Sequence, residues 1–442
     1  MSENQQEEKL NTRLVFFIGL AFFTTGIAWS LYNTQVNQQL QDYFQGLLFA
    51  GTVVGILMAL DNIIGVIIQP IMGSISDNTR TKRGRRTPYI MVGIPLSALF
   101  FALIPTGFGT QLWILLLWML CFSISMGFYR SQAVALMPDF VRPVNRSKAN
   151  AIINIMGGFG SIAAYTMGLA SDYIGLSLTF IIASIIMVGA LLVFLWKVDE
   201  NKAYSYKLIL ELEQKEGRKL KETKEKTSIT KGFSEILKEK DKSTLFILLA
   251  IFSWFIAYQG LEAFFSIYAA DPLILNQSSG MAGFIFNFVA IPFILAAFPL
   301  SIFATKIGRR NCIKIGLFMM IFSLILGGLV QTITVTIIIL VIFGIGWAFV
   351  NVNSIVIVWE LAPTVHKIGT YTGLYYFFSV LAAIVGPAII GTMLDIFGYT
   401  SLLLDGAIFL IIALVFIFLV KRGEIELTEE EKLARKKAIQ EL

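Results

Sequence analysis

"GSISDNTRTKRGRRTP", Gly73 to Pro88, sets five basic residues and one carboxylate into sixteen positions. On each side of it the chain is apolar for about twenty residues or more. A helix rising ~1.5 Å per residue crosses the ~30 Å hydrocarbon core of a bilayer in that length. The stretch is therefore a short loop between two membrane spans. That position argues against a nucleic-acid patch, and no nucleic-acid partner is expected. Outward from it, apolar runs recur at 14–36, 45–72, 88–108, 112–137, 149–170, 177–196, 243–269, 281–305, 312–331, 333–360, 370–393 and 402–420. Twelve such runs, in a chain 56% hydrophobic and 14% charged, describe an all-α polytopic membrane protein. A soluble domain carries about a quarter charged residues, and barrel strands would alternate and be about half as long.

The loops sort by charge. Residues 37–44, 109–111, 171–175, 271–280 and 395–400 contain no Lys or Arg. The N-terminus, the stretch 73–88, Arg142–Lys148, the segment 197–242, Lys306–Lys314, His366–Lys367 and the tail hold the cations. Basic loops stay cytoplasmic, so both termini are expected in the cytoplasm and the protein in the cell (plasma) membrane. No cleavable leader is expected, because Met1 to Arg13 is polar and no small-residue cleavage site follows the first run. The charged segment 197–242 separates an N-terminal bundle, 1–196, from a C-terminal bundle, 243–421, and residues 422–442 form a cytoplasmic tail. Tyr206, Leu208, Ile209 and Leu212 in that segment suggest an amphipathic helix on the membrane surface.

The halves repeat. Span 4 ends in Asp139 followed, after six residues, by Arg146; span 10 ends in Glu360 followed, after six, by Lys367. Span 2 runs into Gly84-Arg85-Arg86 and span 8 into Gly308-Arg309-Arg310. Two independent correspondences at matching places indicate two six-helix units related as parallel repeats, the plan of many secondary transporters.

On these residues the chain resembles the major facilitator superfamily. Gly73, Asp77 and Gly84-Arg85-Arg86 resemble its signature loop between helices 2 and 3, and the paired acid and base after spans 4 and 10 resemble the partner motif. The longer loop "SDNTRTKRGRRTP" is similar to that of the glycoside–pentoside–hexuronide cation symporters, above all their sucrose-transporter-like branch. "WSLYN" (29–33), "YRSQAVALMPD" (129–139), "NVNSIVIVWELAP" (351–363) and "GLYYFFSVLAAIVGP" (373–387) are similar to that branch too. The resemblance implies a twelve-helix fold in two pseudo-symmetric bundles, with spans 1, 4, 7 and 10 lining a central cavity. It implies cytoplasmic gating by Asp77, Arg85, Arg86, Asp139 and Arg146, with Arg309, Arg310, Glu360 and Lys367 as the counterpart. Melibiose-type members carry two acids on helix 2 where this chain has Gly65 and Gln69. Protons are therefore a better expectation than Na⁺ for a coupling ion.

Asp61, Arg130 and Glu262 fall well inside spans. An ionised side chain at that depth costs about 2.5–3.5 kcal/mol or more, so each should face the bundle interior with a partner or a role. Asp61 reads as a proton-coupling or substrate-binding carboxylate, or as half of a structural ion pair with Arg130. Trp254, Tyr258 and Glu262 stand at i, i+4 and i+8 and share one helix face. With Gln259 they suit a sugar, whose ring CH face stacks on aromatics while its hydroxyls bond the acid; aromatics at that spacing also serve plain packing. Tyr32, Asn33, Asn351, Asn353 and Tyr375 add neutral donors and acceptors, for which interhelical bonding is the alternative use.

No nucleophile–base constellation, metal-spaced cluster or phosphate loop appears, so neither an enzyme nor a metal or organic cofactor is expected. Cys121 and Cys312 propose no disulfide. The reading that fits most residues is a proton-coupled importer of a sugar or glycoside, complete as a monomer in the lipid bilayer. An exporter of amphipathic drugs or metabolites is the alternative within transport. A non-transporting sensor or scaffold that binds a soluble partner through 197–242 or the tail is the alternative outside it.

Overall fold

Backbone N–H and C=O groups find no water in hydrocarbon, so each apolar run closes its hydrogen bonds internally as an α-helix. A computed structural model shows this directly, and it describes residues 10–141, 146–216, 233, 236–238, 240–362 and 368–423. Among the described residues, twelve helices are long and apolar enough to cross a membrane. They are α1 (Thr12–Phe44), α2 (Ala50–Asp77), α3 (Thr87–Leu103), α4 (Leu112–Phe140), α5 (Arg146–Ile174), α6 (Leu176–Lys197), α7 (Ser243–Ala270), α8 (Asn287–Ile307), α9 (Arg309–Leu329), α10 (Ile333–Leu361), α11 (Ile368–Phe397) and α12 (Leu402–Leu419).

Two spans depart from the sequence reading. Residues 37–44 were expected as loop, yet α1 stays helical to Phe44, with Asn37 and Leu40 fully buried. These residues pack against the other half of the molecule, which holds the last turns in place. Span 8 was expected unbroken, but a short helix, Ser279–Phe284, precedes α8. The joint is tightened by three-residue hydrogen bonds, Phe286 N–H to Gly283 O (3.2 Å) and Phe288 N–H to Ile285 O (3.0 Å).

The two halves pack by one scheme. In the first, α1 lies on α5 and α6, α4 on α2 and α3, and α3 on α6. In the second, α7 lies on α11 and α12, α10 on α8 and α9, and α9 on α12. Between halves, α2 meets α11, α5 meets α8, and α1 meets α7. Close approach relies on glycines: a Cβ on Gly26 of α1 would strike the Gly157 carbonyl of α5, and one on Gly160 of α5 would strike the Phe23 carbonyl of α1.

The described residues begin at Leu10 and end at Gly423 on the side of the bundle whose loops carry the cations, here called the basic end; the opposite end is the cation-free end. The charged connector forms a surface helix, Tyr204–Glu216. Of the apolar residues that suggested it, Tyr206 is buried in the protein, Ile209 is half-buried, and Leu208 and Leu212 are exposed. His366, Lys367 and the tail beyond Gly423 lie outside the described residues, as does the Arg146 side chain.

Candidate functional site

The three charges inside the membrane are brought together from three helices. Asp61 of α2 is 3% exposed, and one of its oxygens accepts from Asn62 N–H (2.6 Å) and Asn62 Nδ2 (2.9 Å). Arg130 of α4 and Glu262 of α7 both lie within electrostatic reach of it. Among the described residues, no direct ion pair joins Asp61 to Arg130. The guanidinium instead lies over the Trp29 ring of α1, 5.1 Å from its centroid. A cation over an indole face is stabilised by roughly 1 kcal/mol, more when dry. Tyr32, almost fully buried, faces Asp61 and stacks on Phe122 with ring centroids 5.4 Å apart.

Glu262 carries the cluster across the boundary between halves. Asn33 of α1 lies near its carboxylate, and Tyr165 of α5 and Tyr258 are close enough to feel its charge. An acid on the second half is thus answered by an amide and a phenol on the first. Tyr258 stacks on Trp347 of α10, 4.5 Å between centroids and 12° between planes, and Phe255 meets the same indole edge-on at 5.4 Å. Trp254 is fully buried, and its Nε1 has no hydrogen-bond partner among the described residues.

Other expected site residues are not drawn in. The base of the Gln259 side chain lies beside Gly386 of α11. Asn353 donates to Phe349 O of its own helix (2.8 Å), so its amide is occupied locally. Tyr375 pairs with Ser354 across α10 and α11 (3.4 Å). Asn351 is half-buried, and its carbonyl accepts from Ser354 Oγ (3.0 Å). Trp29, Tyr165 and Trp347 were missed by the sequence reading. Trp347 stands four residues before Asn351, on the same face, so helical spacing from that asparagine would have found it.

At the cation-free end the halves are joined. Asp395, on the last turn of α11, accepts from the N–H groups of Gly51 and Thr52 (both 2.7 Å) and from the Thr52 hydroxyl (2.6 Å). Asp172, on the last turn of α5, accepts from Gly280 N–H (2.9 Å) and from the Ser278 hydroxyl. Each carboxylate meets the start of a helix on the other half, where unpaired N–H groups and the dipole favour negative charge. The two sites are related by the repeat, and the sequence carries a sign of it. Asp172-Tyr-Ile-Gly175 and Asp395-Ile-Phe-Gly398 both place an acid three residues before a helix-ending glycine. Asn37 adds a third bridge, donating to Ala263 O and accepting from Ser266 Oγ (3.1 Å).

Toward the basic end the facing rows of α2 and α11 become exposed. The row of α2 that meets α11 at Gly51 and Gly55 emerges at Val66, 49% exposed, and at Pro70. The facing row of α11, buried at Pro387 and Gly391, emerges at Phe377 and Tyr376.

The basic loop is a dense network inside the first half. Arg85 forks onto Asp139 through Nη2 (2.7 Å) and Nε (3.2 Å). Arg86 pairs with Asp77, reaches Asp139 through Nε (3.3 Å) and donates to the Ser76 hydroxyl. Glu200, from the turn after α6, was not anticipated. It is 1% exposed and accepts from the backbone N–H groups of Arg85 (2.8 Å), Arg86 (2.8 Å) and Thr87 (2.7 Å) and from the Thr87 hydroxyl (2.7 Å). This carboxylate caps α3 in place of a local residue. It also explains the glycine of the motif: Gly84 has φ +101°, and any Cβ there would strike the Glu200 side chain. The surface helix clamps the same loop, Glu213 on Arg80 (2.9 Å) and the Tyr206 hydroxyl on Thr81 O (3.3 Å).

The second half repeats the motif loosely. Arg309 pairs with Glu360, and Arg310 donates to Val420 O (2.7 Å) at the end of α12. Among the described residues, Arg85, Arg86, Asp77 and Asp139 pair within the first half, and Arg309 pairs with Glu360 within the second.

The model of the Major Facilitator Superfamily matches residues 14–276 and 272–441. A mutant form of the nucleoside transporter NupG superposes with a TM-score of 0.70 at 16% identity, over 92% of this chain and 100% of that one. A bacterial homologue of the human lysosomal transporter Spinster, inward-facing and occupied, superposes with a TM-score of 0.70 at 14% identity, over 95% and 98%. At those identities the likeness is one of fold. The lactose permease of Lactobacillus helveticus is 36% identical over 99 residues, which span 22% of this chain and 14% of that protein.

Proposed function

We propose that this chain, which belongs to the Major Facilitator Superfamily, carries a small neutral polar solute of the saccharide or glycoside class across the membrane by alternating access, driven by protons. The observation that carries the reading is the cluster of Asp61, Arg130 and Glu262 beside the Tyr258–Trp347 stack, shared between the two halves. A polyol needs flat aromatic faces for its CH groups and several donors and acceptors for its hydroxyls. Asn33, Tyr165 and the free Trp254 Nε1 supply the latter from both sides. Asp61 and Glu262 are the carboxylates whose protonation biases which end is open. The resemblance to glycoside–pentoside–hexuronide symporters and the partial match to a lactose permease favour a saccharide. With the basic end in the cytoplasm, the described state is open inward and closed by Asp172 and Asp395 outward. Asp77, Arg85, Arg86 and Asp139 act on gating indirectly, by keeping one half rigid as it rocks.

The test is uptake into proteoliposomes of labelled mono- and disaccharides and glycosides under an imposed proton gradient. At least one accumulates only with the gradient, and Asp61→Asn removes the accumulation. Trp347→Ala weakens apparent affinity roughly five- to tenfold, the loss of one aromatic contact. Uptake of no saccharide with the gradient in either direction, or undiminished uptake by Asp61→Asn, overturns the reading.

A further inference from the structure

We propose that the tip of the basic loop and the first turns of α3 form a binding site for one anionic phospholipid of the adjoining leaflet. A shallow groove there is lined by Thr81, Lys82, Arg83, Pro88, Met91 and Val92. Its two halves differ in chemistry. One rim carries Lys82 and Arg83, both exposed, and among the described residues neither makes an ion pair. They differ in this from Arg80, Arg85 and Arg86, each held by a carboxylate. The floor is apolar, and it continues along α3 as an exposed stripe of Val92, Leu96 and Leu99 at helical spacing. Cations above and an unbroken apolar track below match a phosphate headgroup with its acyl chain.

The cations are held in place although they are exposed. Asn201 Nδ2 donates to Lys82 O (2.9 Å), Tyr206 holds Thr81 O (3.3 Å), and Thr81 O accepts from Gly84 N–H (3.1 Å). The Arg83 guanidinium leans on α3, with Nη1 3.3 Å from Met91 Sδ. That contact uses one donor of a five-donor group and leaves the others for a ligand. The start of α3 cannot be the anion site, because Glu200 already fills it. The phosphate therefore meets side chains, and the attraction depends on these two residues. Lipid held here adds a ligand to the same loop that Glu200, Tyr206 and Glu213 clamp, so its occupancy stabilises the first half. The inference is independent of which solute is carried.

The experiment follows thermal unfolding of the purified full chain in neutral detergent. The additives are phosphatidylglycerol, phosphatidylcholine or inorganic phosphate, compared across wild type, Lys82→Gln/Arg83→Gln, Val92→Asn and the control Lys202→Gln. Phosphatidylglycerol raises the apparent Tm of the wild type saturably; phosphatidylcholine and phosphate do not. The double variant unfolds at the wild-type temperature without lipid and binds phosphatidylglycerol roughly tenfold or more weakly. Val92→Asn weakens the lipid effect, and Lys202→Gln leaves it unchanged. An equal shift with inorganic phosphate, an undiminished shift in the double variant, or an equal loss in Lys202→Gln overturns the proposal.

Discussion

At the cation-free end, Asp172 and Asp395 each leave their own half and cap the start of a helix on the other. At the basic end, Asp139 and Glu200 hold Arg85, Arg86 and the start of α3 without leaving the first half. Both arrangements use a carboxylate on helix-start N–H groups or on arginine. The difference lies in what each one joins. In the alternating-access cycle proposed above, contacts across halves exist in one conformation and vanish in the other, so they set an equilibrium between states. Contacts within a half are present in both, so they set the stability of the piece that moves. The second half underlines the point: among the described residues Arg309 pairs with Glu360, Arg310 donates to the end of α12, and Glu200 has no counterpart.

The largest expected effect tests the within-half assignment. Glu200→Ala leaves three backbone donors and a hydroxyl buried without an acceptor, at a cost of about 3–5 kcal/mol. Apparent Tm should fall sharply, while the spin-label distance between cysteines at Thr110 and Leu273, on opposite halves at the cation-free end, stays unchanged. A changed distance would mean that the network does more than hold one half together.

Next comes the contrast between halves. Arg85 and its partner Asp139 have side chains 4% and 8% exposed, whereas Arg309 and Glu360 are 27% and 14% exposed. Arg85→Ala should cost about 3 kcal/mol and Arg309→Ala about 1 kcal/mol or less, because water screens the second pair. Equal losses in apparent Tm would erase the asymmetry.

Asp395→Asn and Asp172→Asn probe the contacts between halves. Each removes a charge from a helix start and weakens the closed cation-free end by about 1–2 kcal/mol, a population shift of roughly five- to thirtyfold. The Thr110–Leu273 label distance should broaden toward longer values with little change in Tm. A fall in Tm with no change in distance would assign these acids to stability alone.

The smallest effect is at the start of α7. Asp241 accepts from Ser243 N–H (2.7 Å) and pairs with Arg422 (2.9 Å), and these partners, Ser243 first, hold its carboxyl below the usual range. A carboxyl with a depressed folded pKa stabilises above its unfolded pKa, about 3.9, and loses that contribution as pH falls through the folded value. Asp241→Asn should cost less than about 1 kcal/mol at neutral pH and so lower Tm slightly, and the gap from wild type should shrink as pH falls below about 4.

Much of the molecule was legible residue by residue. Twelve spans could be counted because each is a contiguous apolar run, and the loop motifs of the repeat survived in Gly84-Arg85-Arg86 and Gly308-Arg309-Arg310. Asp61, Arg130 and Glu262 announced themselves as costly charges in hydrocarbon. Gln259, Asn353 and Tyr375 could not be sorted from Asn33 and Tyr258 in the same way. A polar side chain in a span has the same sequence signature whether it bonds its own helix, a neighbour or a solute. Glu200 was hidden for a related reason: it looks like any solvated acid of a charged connector until the fold returns it to α3, more than a hundred residues back along the chain.

The chain by itself determined how many helices there are, which loops carry cation and which charges must lie inside, because solvation free energy acts on each segment separately. The tertiary structure alone decided which end is shut, which acid crosses between halves and which aromatic rings meet at the centre. Those outcomes depend on the rotation of each helix against neighbours far away in sequence, and rotation is set by close packing, by glycine contacts such as Gly26 on Gly157, and not by any local run of residues.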